Sequence, residues 1–333
     1  MNEIRTIVSD IKKGNLKPIY FLMGDEPYYI DEISNFIEKN VLDEAEKGFN
    51  QQIMYGRDVS IEDIVSAAKR YPMMAEYQVI IVKEAQDLSR NIEKLVSYAE
   101  NPQATTVLVF NYKYKKLDKR KKLLKAIAKS GLIYESKKMY ENQVSDWIRR
   151  VLSGKGYQIE PKASQMLVEF LGTDLSKISN ELNKLMIILP KETIINDIHI
   201  EENIGISKDF NNFELRKAVG EKNSVKANRI INYFSENPKN NPTVMTISLL
   251  NSFFTQLLLF HGLKDKSKSS VAKSLGVSTY FIDEYYLAAR NYPMRKVAQV
   301  IAFLRDADVK SKGVGANQSQ IDILKELLFK ILH

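Results

Sequence analysis

The chain has 333 residues, 44% of them apolar, with 17 Tyr and 14 Phe, a composition that excludes a disordered polymer and provides for two or three domains with cores of their own. Cysteine is absent, which excludes disulfides and thiolate metal sites and points to a reducing, cytoplasmic setting. Net charge is +8, with 49 Lys/Arg against 41 Asp/Glu, which raises the prospect of a polyanionic partner and makes the distribution of charge the next question.

The start, MNEIRTIVSDIKKGN, has scattered charges and no apolar core, so it is not expected to act as a signal peptide. Apolar runs rich in β-formers follow at Pro18–Met23, Gln52–Tyr55, Val79–Val82, Thr105–Phe110 and Leu132–Tyr134, alternating with helical stretches near 28–40, 60–71, 90–99 and 118–129. Short apolar strands alternating with helices predict a parallel sheet covered on both faces over residues 1–140.

The first strand runs into Gly24 and then DEPYYIDE, the order of strand, glycine turn and helix that forms a phosphate loop. In G-x-x-x-x-G-K-[ST] the remaining positions would be glycine, lysine and a hydroxyl; this chain has Tyr29, Ile30 and Asp31. Asp25 is expected to cap the helix, with Pro27 in its first turn, and Asp25, Glu26, Asp31 and Glu32 would repel phosphate from the helix terminus. The strand VIIV ends in Lys83-Glu84, where an active AAA+ ATPase has Asp-Glu to hold Mg²⁺ and activate water. A third strand ends at Asn111, where such ATPases place a polar sensor. The three landmarks in order, two of them stripped of their chemistry, describe a degenerate ATPase; an unrelated doubly wound domain is the alternative.

After Lys138 the β pattern fades. Residues 141–206 read as a small helical bundle with helices at 144–153, 161–171 and 175–189, the last carrying Leu175, Ile178, Leu182 and Leu185 on one face. Residues 207–333 read as helices at 212–219, 224–235, 242–263, 270–275, 279–290, 294–309 and 316–332, with a basic linker at 264–270 and a loop at 310–317. No run reaches the ~18 uninterrupted apolar residues of a membrane span. Lys/Arg and Asp/Glu number 23 and 20 in residues 1–140, 7 and 10 in 141–206, and 19 and 11 in 207–333, so the last segment alone carries the whole excess. Within it, Tyr280, Phe281, Tyr285 and Tyr286 lie near Arg290, Arg295 and Lys296, and the 310–317 loop offers Lys310 and Lys312. Aromatics among cations are how single-stranded nucleic acid is held, although aromatics at helical spacing are also core formers. The stretch 113–125 holds eight Lys/Arg and one acid, either a solvated face or a contact for DNA or an acidic partner. His199, His261 and His333 are too far apart to suggest a metal motif and read as structural.

From end to end the chain resembles the delta subunits of bacterial DNA polymerase III clamp loaders. The matching features are PIYFLMGDEPYYIDE, RYPMMAEYQVIIVKEA, KKLDKRKKLLKAI, GTDLSKISNELNKL, FELRKAVGEKNSVKANRIINYF, AKSLGVSTYFIDEYYLAAR and FLRDADVKSKG, in that order. The resemblance implies an α/β plus all-α protein: an AAA+-like parallel-sheet domain (1–140), a helical lid (141–206) and a helical collar for oligomerisation (207–333). It implies a subunit without catalysis or cofactor. This subunit would bind and open the beta sliding clamp during DNA replication, in a hetero-pentamer with gamma/tau and delta prime subunits on primed DNA, with no membrane partner.

Under that resemblance the segment Pro72-Met73-Met74 takes the place of apolar side chains that insert into a pocket on the clamp. Two consecutive large residues cannot both face one core stripe, so at least one is expected at the surface, and the flexible thioether suits an adaptable contact. The family pairs an aliphatic with an aromatic here; this chain has methionine twice. Some members also place an aromatic near the 310–317 loop to stack on template, and this chain has none between Leu304 and Phe329. An active AAA+ ATPase and a stand-alone nucleic-acid-binding protein are the competing functions.

Overall fold

The structure is a computed structural model that describes residues 2–315 and 318–333. It comprises two compact units, Met1–Met139 and Tyr140–His333.

The first unit is built on five strands: β1 (Ile19–Gly24), β2 (Gln51–Tyr55), β3 (Gln78–Lys83), β4 (Thr106–Lys113) and β5 (Leu132–Ser136). All neighbours are parallel, in the order β2-β3-β4-β1-β5. This is the AAA+-like parallel sheet expected from the sequence. β1 is buried at every position and β3 at all but its last, as strands covered on both faces must be. The helices are α1 (Asn2–Lys12), α2 (Pro27–Asn40), α3 (Glu44–Asn50), α4 (Ile61–Ala68), α5 (Val96–Glu100) and α6 (Lys122–Ser130). On one face of the sheet Ile19, Phe21, Ile80, Val82, Leu108 and Phe110 pack against Ile61, Ile64, Ala68, Leu123 and Ile127 of α4 and α6.

Several expectations are corrected. α1 and α3 have no counterpart in the sequence reading. The stretch expected as one helix at 90–99 is a 3₁₀ turn, Ile92–Leu95, followed by the short α5. α6 begins at Lys122 rather than 118 because Asp118 turns the chain first, accepting from the Arg120 backbone N–H at 2.9 Å. α4 stops at Ala68, ahead of the Tyr71-Pro72 junction. The carbonyls at its end find donors on the sheet: the buried Gln78 amide reaches Ala67 O (3.3 Å), Ala68 O (3.4 Å) and Arg70 O, and the Thr106 hydroxyl donates to Ala68 O at 2.8 Å. A helix whose last carbonyls are taken by side chains from a rigid sheet has no reason to continue.

The second unit begins with α7 (Glu141–Ser153), β6 (Gln158–Ile159), α8 (Pro161–Leu171), α9 (Leu175–Ile188), β7 (Ile194–Ile195) and α10 (Asp197–Ile204). It continues with α11 (Asn212–Gly220), α12 (Ser224–Glu236), α13 (Thr243–Gly262), α14 (Lys268–Leu275), α15 (Ile282–Asn291), α16 (Met294–Ser311) and α17 (Gln320–Leu332). β6 and β7 pair in parallel, a two-residue ladder too short to read from sequence, and α10 is likewise unanticipated. Leu175, Ile178, Leu182 and Leu185 are all buried on one face of α9, as their spacing predicts. Among the described residues α13 is the one helix long and apolar enough to cross a membrane. It buries Ile247, Leu250, Phe253, Phe254, Leu257 and Phe260 in the core formed by α11 to α17, while Ser248, Asn251, Ser252 and Thr255 face solvent, the pattern of a core-facing helix with one wet side.

The residues expected as lid and collar share this one unit and are tied by buried charge. Lys162 of α8 bridges Asp197 (2.8 Å) and Glu214 of α11 (3.1 Å), and Arg216 of α11 lies between Glu169 of α8 (3.5 Å) and Glu284 of α15 (3.4 Å). The 310–317 loop is shorter than expected: α16 runs through Lys310 and Ser311, and residues 316 and 317, expected at its end, lie outside the described residues.

Candidate functional sites

β3, β4 and β1 are neighbours in the sheet, so the three landmarks read from the sequence share one edge. At that edge the turn after β1 has no free donors. Gly24 N–H donates to Lys115 O (3.1 Å), Asp25 N–H to Ser136 O (3.2 Å), Glu26 N–H to Ser136 Oγ (3.2 Å) and Tyr28 N–H to Glu26 Oε1 (3.2 Å), and Pro27 has none to give. A phosphate loop works by presenting these groups to the ligand. The close approach of β1 to β5 requires a glycine: at Gly24 φ is +131°, and a Cβ would lie 2.1 Å from Ser136 O. The helix cap is Glu26, not Asp25 as expected, because Glu26 reaches the Tyr28 N–H whereas Asp25 turns to Lys116 at 2.8 Å. Tyr29 and Ile30 are buried in the core, so the position of the phosphate-binding lysine faces the wrong way for a ligand.

The charges at this edge are satisfied internally as well. Lys113 at the end of β4 bonds Asp31 of α2 at 2.9 Å and Glu84 at 3.0 Å, and Lys83 pairs with Glu38 at 3.4 Å. Glu84 also accepts from Gln86 Nε2 at 2.6 Å, in a left-handed backbone conformation (φ 51°) that aims it back at the sheet. Burial works to lower the Lys113 pKa, but hydrogen bonds to Asp31 and Glu84 outweigh it and hold the ammonium above its ordinary value. Burial likewise works to raise the Glu84 carboxyl, and the bonds from Gln86 and Lys113 outweigh it and lower the pKa. Asn111 does not end a strand: β4 continues through Lys113, and Asn111 is buried opposite Leu22 of β1. Its side-chain amide has no hydrogen-bond partner among the described residues.

Much of the basic stretch 113–125 is neutralised within this unit. Lys116 pairs with Asp25 and Glu135, Lys119 with Glu135, Arg120 with Asp118 and Lys121 with Glu93.

The segment after α4 behaves in the opposite way. Pro72 is half-buried, but the Met73 side chain is 63% exposed and that of Met74 fully so, which removes core filling as their role. The turn that carries them is anchored. Asn50, the buried last residue of α3, donates from Nδ2 to Met73 O (2.9 Å) and accepts the Met73 N–H at Oδ1 (2.7 Å). Asn50, its neighbour Phe49 and Lys113 are the site residues that sequence reasoning missed. For Lys113, its place at the start of the basic stretch 113–125, just beyond the strand read at Thr105–Phe110, was the one available signal.

In the helical unit, Tyr280 and Arg290 are exposed and Lys296 half-buried. Phe281 and Tyr285, grouped with them from sequence, are core residues, and the Tyr286 hydroxyl donates to Lys266 O. Lys310 bonds Glu326 at 3.0 Å and Lys312 bonds Asp308 at 2.6 Å. Glu326 also accepts from Lys330, and hydrogen bonds from Lys330, then Lys310, bring its carboxyl down to about 2. His199 accepts the Asn196 N–H at the start of α10, and His261 bonds Tyr292 O at 2.8 Å, both structural placements.

Comparison with known proteins agrees along the chain. Residues 20–137 match the family model described as DNA polymerase III, delta subunit, and residues 209–329 match that described as DNA polymerase III delta subunit, C-terminal domain. The chain is 24% identical over 333 residues to the DNA polymerase III subunit delta of Bacillus subtilis (strain 168), covering 97% of this chain and 95% of the relative. It is 20% identical over 280 residues to the probable DNA polymerase III subunit delta of Aquifex aeolicus (strain VF5), covering 79% and 77%. The solved structure of the Bacillus subtilis DNA clamp loader delta protein shares the fold, with a TM-score of 0.56 at 22% identity over 99% of both chains.

The Lys113 cluster carries a pH signature. A carboxyl lowered by folding, such as Glu84, stabilises the fold above its unfolded pKa, and that contribution is lost as pH falls through the folded value. A raised lysine contributes below its unfolded pKa and loses that contribution only as pH rises through the folded value, at the alkaline end. Lys113→Met should therefore lower stability at neutral pH by about 1–2 kcal/mol. That is below the ~3–5 of a fully buried pair, because the Asp31 and Glu84 side chains remain 40% and 38% exposed. It should also flatten the loss of stability below about pH 4.5. Urea midpoints of both proteins between about pH 3 and 7 check this; parallel curves of equal height would show that the cluster contributes nothing.

Proposed function

The chain belongs to the DNA polymerase III delta-subunit family, and on that footing we propose that it binds and opens the ring-shaped sliding clamp without hydrolysing ATP itself. The observation that carries this reading is the pair Met73 and Met74, large apolar side chains held in water on a turn whose backbone is fixed by Asn50. Exposed apolar groups on an anchored turn make a contact element: a partner pocket gains the transfer free energy of the thioether side chains, and little backbone freedom remains to be lost on binding. Pro72 stiffens the approach to the pair.

The absence of turnover is argued from the β1 edge. The donors from Gly24 through Tyr28 are taken, Ile30 is in the core, and Lys83, Lys113 and their carboxylates leave no acidic pair free for Mg²⁺. The work of hydrolysis then falls to gamma/tau subunits, with which this chain and delta prime would form the cytoplasmic hetero-pentamer. Residues 1–140 would serve as the clamp-contact domain, 141–206 as the lid and 207–333 as the collar. No cofactor is needed for this role. Contact with primed DNA is assigned to the basic collar, through Tyr280, Arg290 and Lys296 ahead of Lys310 and Lys312, since each of the last two already has a carboxylate partner.

Three outcomes are expected. Met73→Ala with Met74→Ala should leave the melting temperature nearly unchanged and weaken binding to the purified sliding clamp at least about tenfold, or ~1.4 kcal/mol, read by surface plasmon resonance. Wild-type affinity in that variant would overturn the contact assignment. A fluorescent ATP analogue titrated with Mg²⁺ should show no saturable binding to the isolated chain; micromolar binding with turnover would establish the active-ATPase alternative. In the assembled loader, Arg290→Ala with Lys296→Ala should reduce the slope of log affinity for primed DNA against log salt by roughly 0.7–0.9 per lost phosphate contact. Lys310→Ala with Lys312→Ala should reduce it less. Unchanged slopes in both would place the DNA contacts elsewhere.

A further inference from the structure

α3 ends where the methionine turn is pinned, and what it exposes there is apolar. Phe49, one residue before Asn50, is 78% exposed, a large aromatic ring left in water beside a buried asparagine. α3 leads directly into β2, the edge strand of the sheet, where Ile53 and Tyr55 are also partly exposed. Tyr71 is exposed on the other side of Pro72. Phe49 and Ile53 on one segment and Tyr71, Met73 and Met74 on the other are thus exposed large apolar side chains, and the Asn50 side chain ties the two segments together. Apolar patches of this kind on a soluble chain mark protein contacts.

Asn50 is built to hold that arrangement. Its amide contacts both polar backbone groups of Met73, donating at 2.9 Å and accepting at 2.7 Å, and Nδ2 also reaches Glu46 O at 3.2 Å within α3. Two bonds from one planar amide fix the orientation of the Met73 backbone, in a segment that belongs to no helix or strand. The next residue, Met74, has φ 53°, a left-handed conformation that side-chain-bearing residues adopt only when their surroundings impose it. The buried clasp on Met73 is such an imposition, and it leaves the Met74 side chain fully in solvent.

We infer that the end of α3 is the second half of the clamp-contact element, with Asn50 as the positioning residue for the Met73–Met74 turn and Phe49 as a third apolar anchor for the sliding clamp. This rests on the proposed role of the methionine pair. The clamp is the occupant because Asn50, the neighbour of Phe49, is hydrogen-bonded to both backbone groups of Met73 in the turn assigned to it.

The test measures binding of the full-length chain to the purified sliding clamp for Phe49→Ala, Asn50→Ala, the double change Met73→Ala with Met74→Ala, and the triple variant that adds Asn50→Ala to that pair, each with its melting temperature. Phe49→Ala should weaken binding about fivefold with no change in melting temperature, as befits a truncated surface anchor. Asn50→Ala should weaken binding about fivefold in the wild-type background and less than about twofold in the methionine-free background, because the turn it positions no longer carries the side chains that bind. Asn50→Asp, which keeps the acceptor for the Met73 N–H and loses the donor to Met73 O, should fall between. An Asn50→Ala effect of equal size in both backgrounds overturns the positioning role, since general loosening of the domain would act on both alike. Wild-type affinity in Phe49→Ala removes the third anchor. If both single variants bind normally while the methionine pair variant is weak, the inference on α3 fails and the reading of the turn stands. If the methionine pair variant itself binds normally, both fail together.

Discussion

A lysine ammonium drawn out of water must be met by carboxylates, and the way Lys113 is met organises the C-terminal edge of the sheet. Its side chain is only 13% exposed, and its partners come from α2 (Asp31) and from the turn after β3 (Glu84). One cation on β4 thereby joins the ends of three adjacent strands, since α2 springs from β1. In a nucleotide-binding sheet these same elements diverge to admit phosphate and metal. Here they converge on an internal charge, and the Asp25 and Glu26 N–H groups of the β1 turn converge on Ser136 in the same sense. The edge is electrostatically complete without a ligand.

Buried polar groups elsewhere in the first unit hold backbone in place. Gln78, Thr106 and Tyr98 terminate α4 by taking the Ala67, Ala68 and Arg70 carbonyls, and Asn50 takes both backbone groups of Met73. The segment between the end of α4 and β3 is therefore held at its start and at Met73 by side chains that are themselves fixed in the sheet, in α5 or in α3. A rigid backbone carrying flexible thioethers combines low ordering cost with tolerance of the partner's pocket shape.

The five strands were legible because central parallel strands are continuous apolar runs, and β1, β3 and β4 are buried almost throughout. Helices with a wide apolar stripe, such as α9, were legible for the same reason. α1 and α3 were not. The α3 segment, EAEKGFN, buries only Asn50, so it has no stripe to detect; at its start the Glu46 carboxylate accepts the Asp43 N–H at 3.1 Å. The loss of the phosphate loop could be read from Tyr29, Ile30 and Asp31, but its replacement could not: Lys113, Ser136 and Glu84 come together only through strand pairing across the sheet. Asp25 looked like the cap because aspartate is the better capping residue, and Lys116 drew it away. In the helical unit, sequence could place aromatics near cations but could not separate Tyr280, which is exposed, from Phe281 and Tyr285, which are core.

Gly24 carries a consequence for how such a chain can change. Substituting Tyr29 by glycine, Ile30 by lysine and Asp31 by serine would restore the motif on paper, yet the new ammonium would be buried under the sheet and Lys113 would lose a partner. Nor would the donors of Gly24, Asp25 and Glu26 be released, because they are held by Lys115 and by the close approach of β5 at Ser136. The steps at Ile30 and Asp31 would bury a charge and remove a partner of Lys113 while the donors of the turn stay occupied. With the strands closed on one another, the turn and the charge cluster hold each other in place: opening the donors means moving β5, and replacing Asp31 unpairs Lys113.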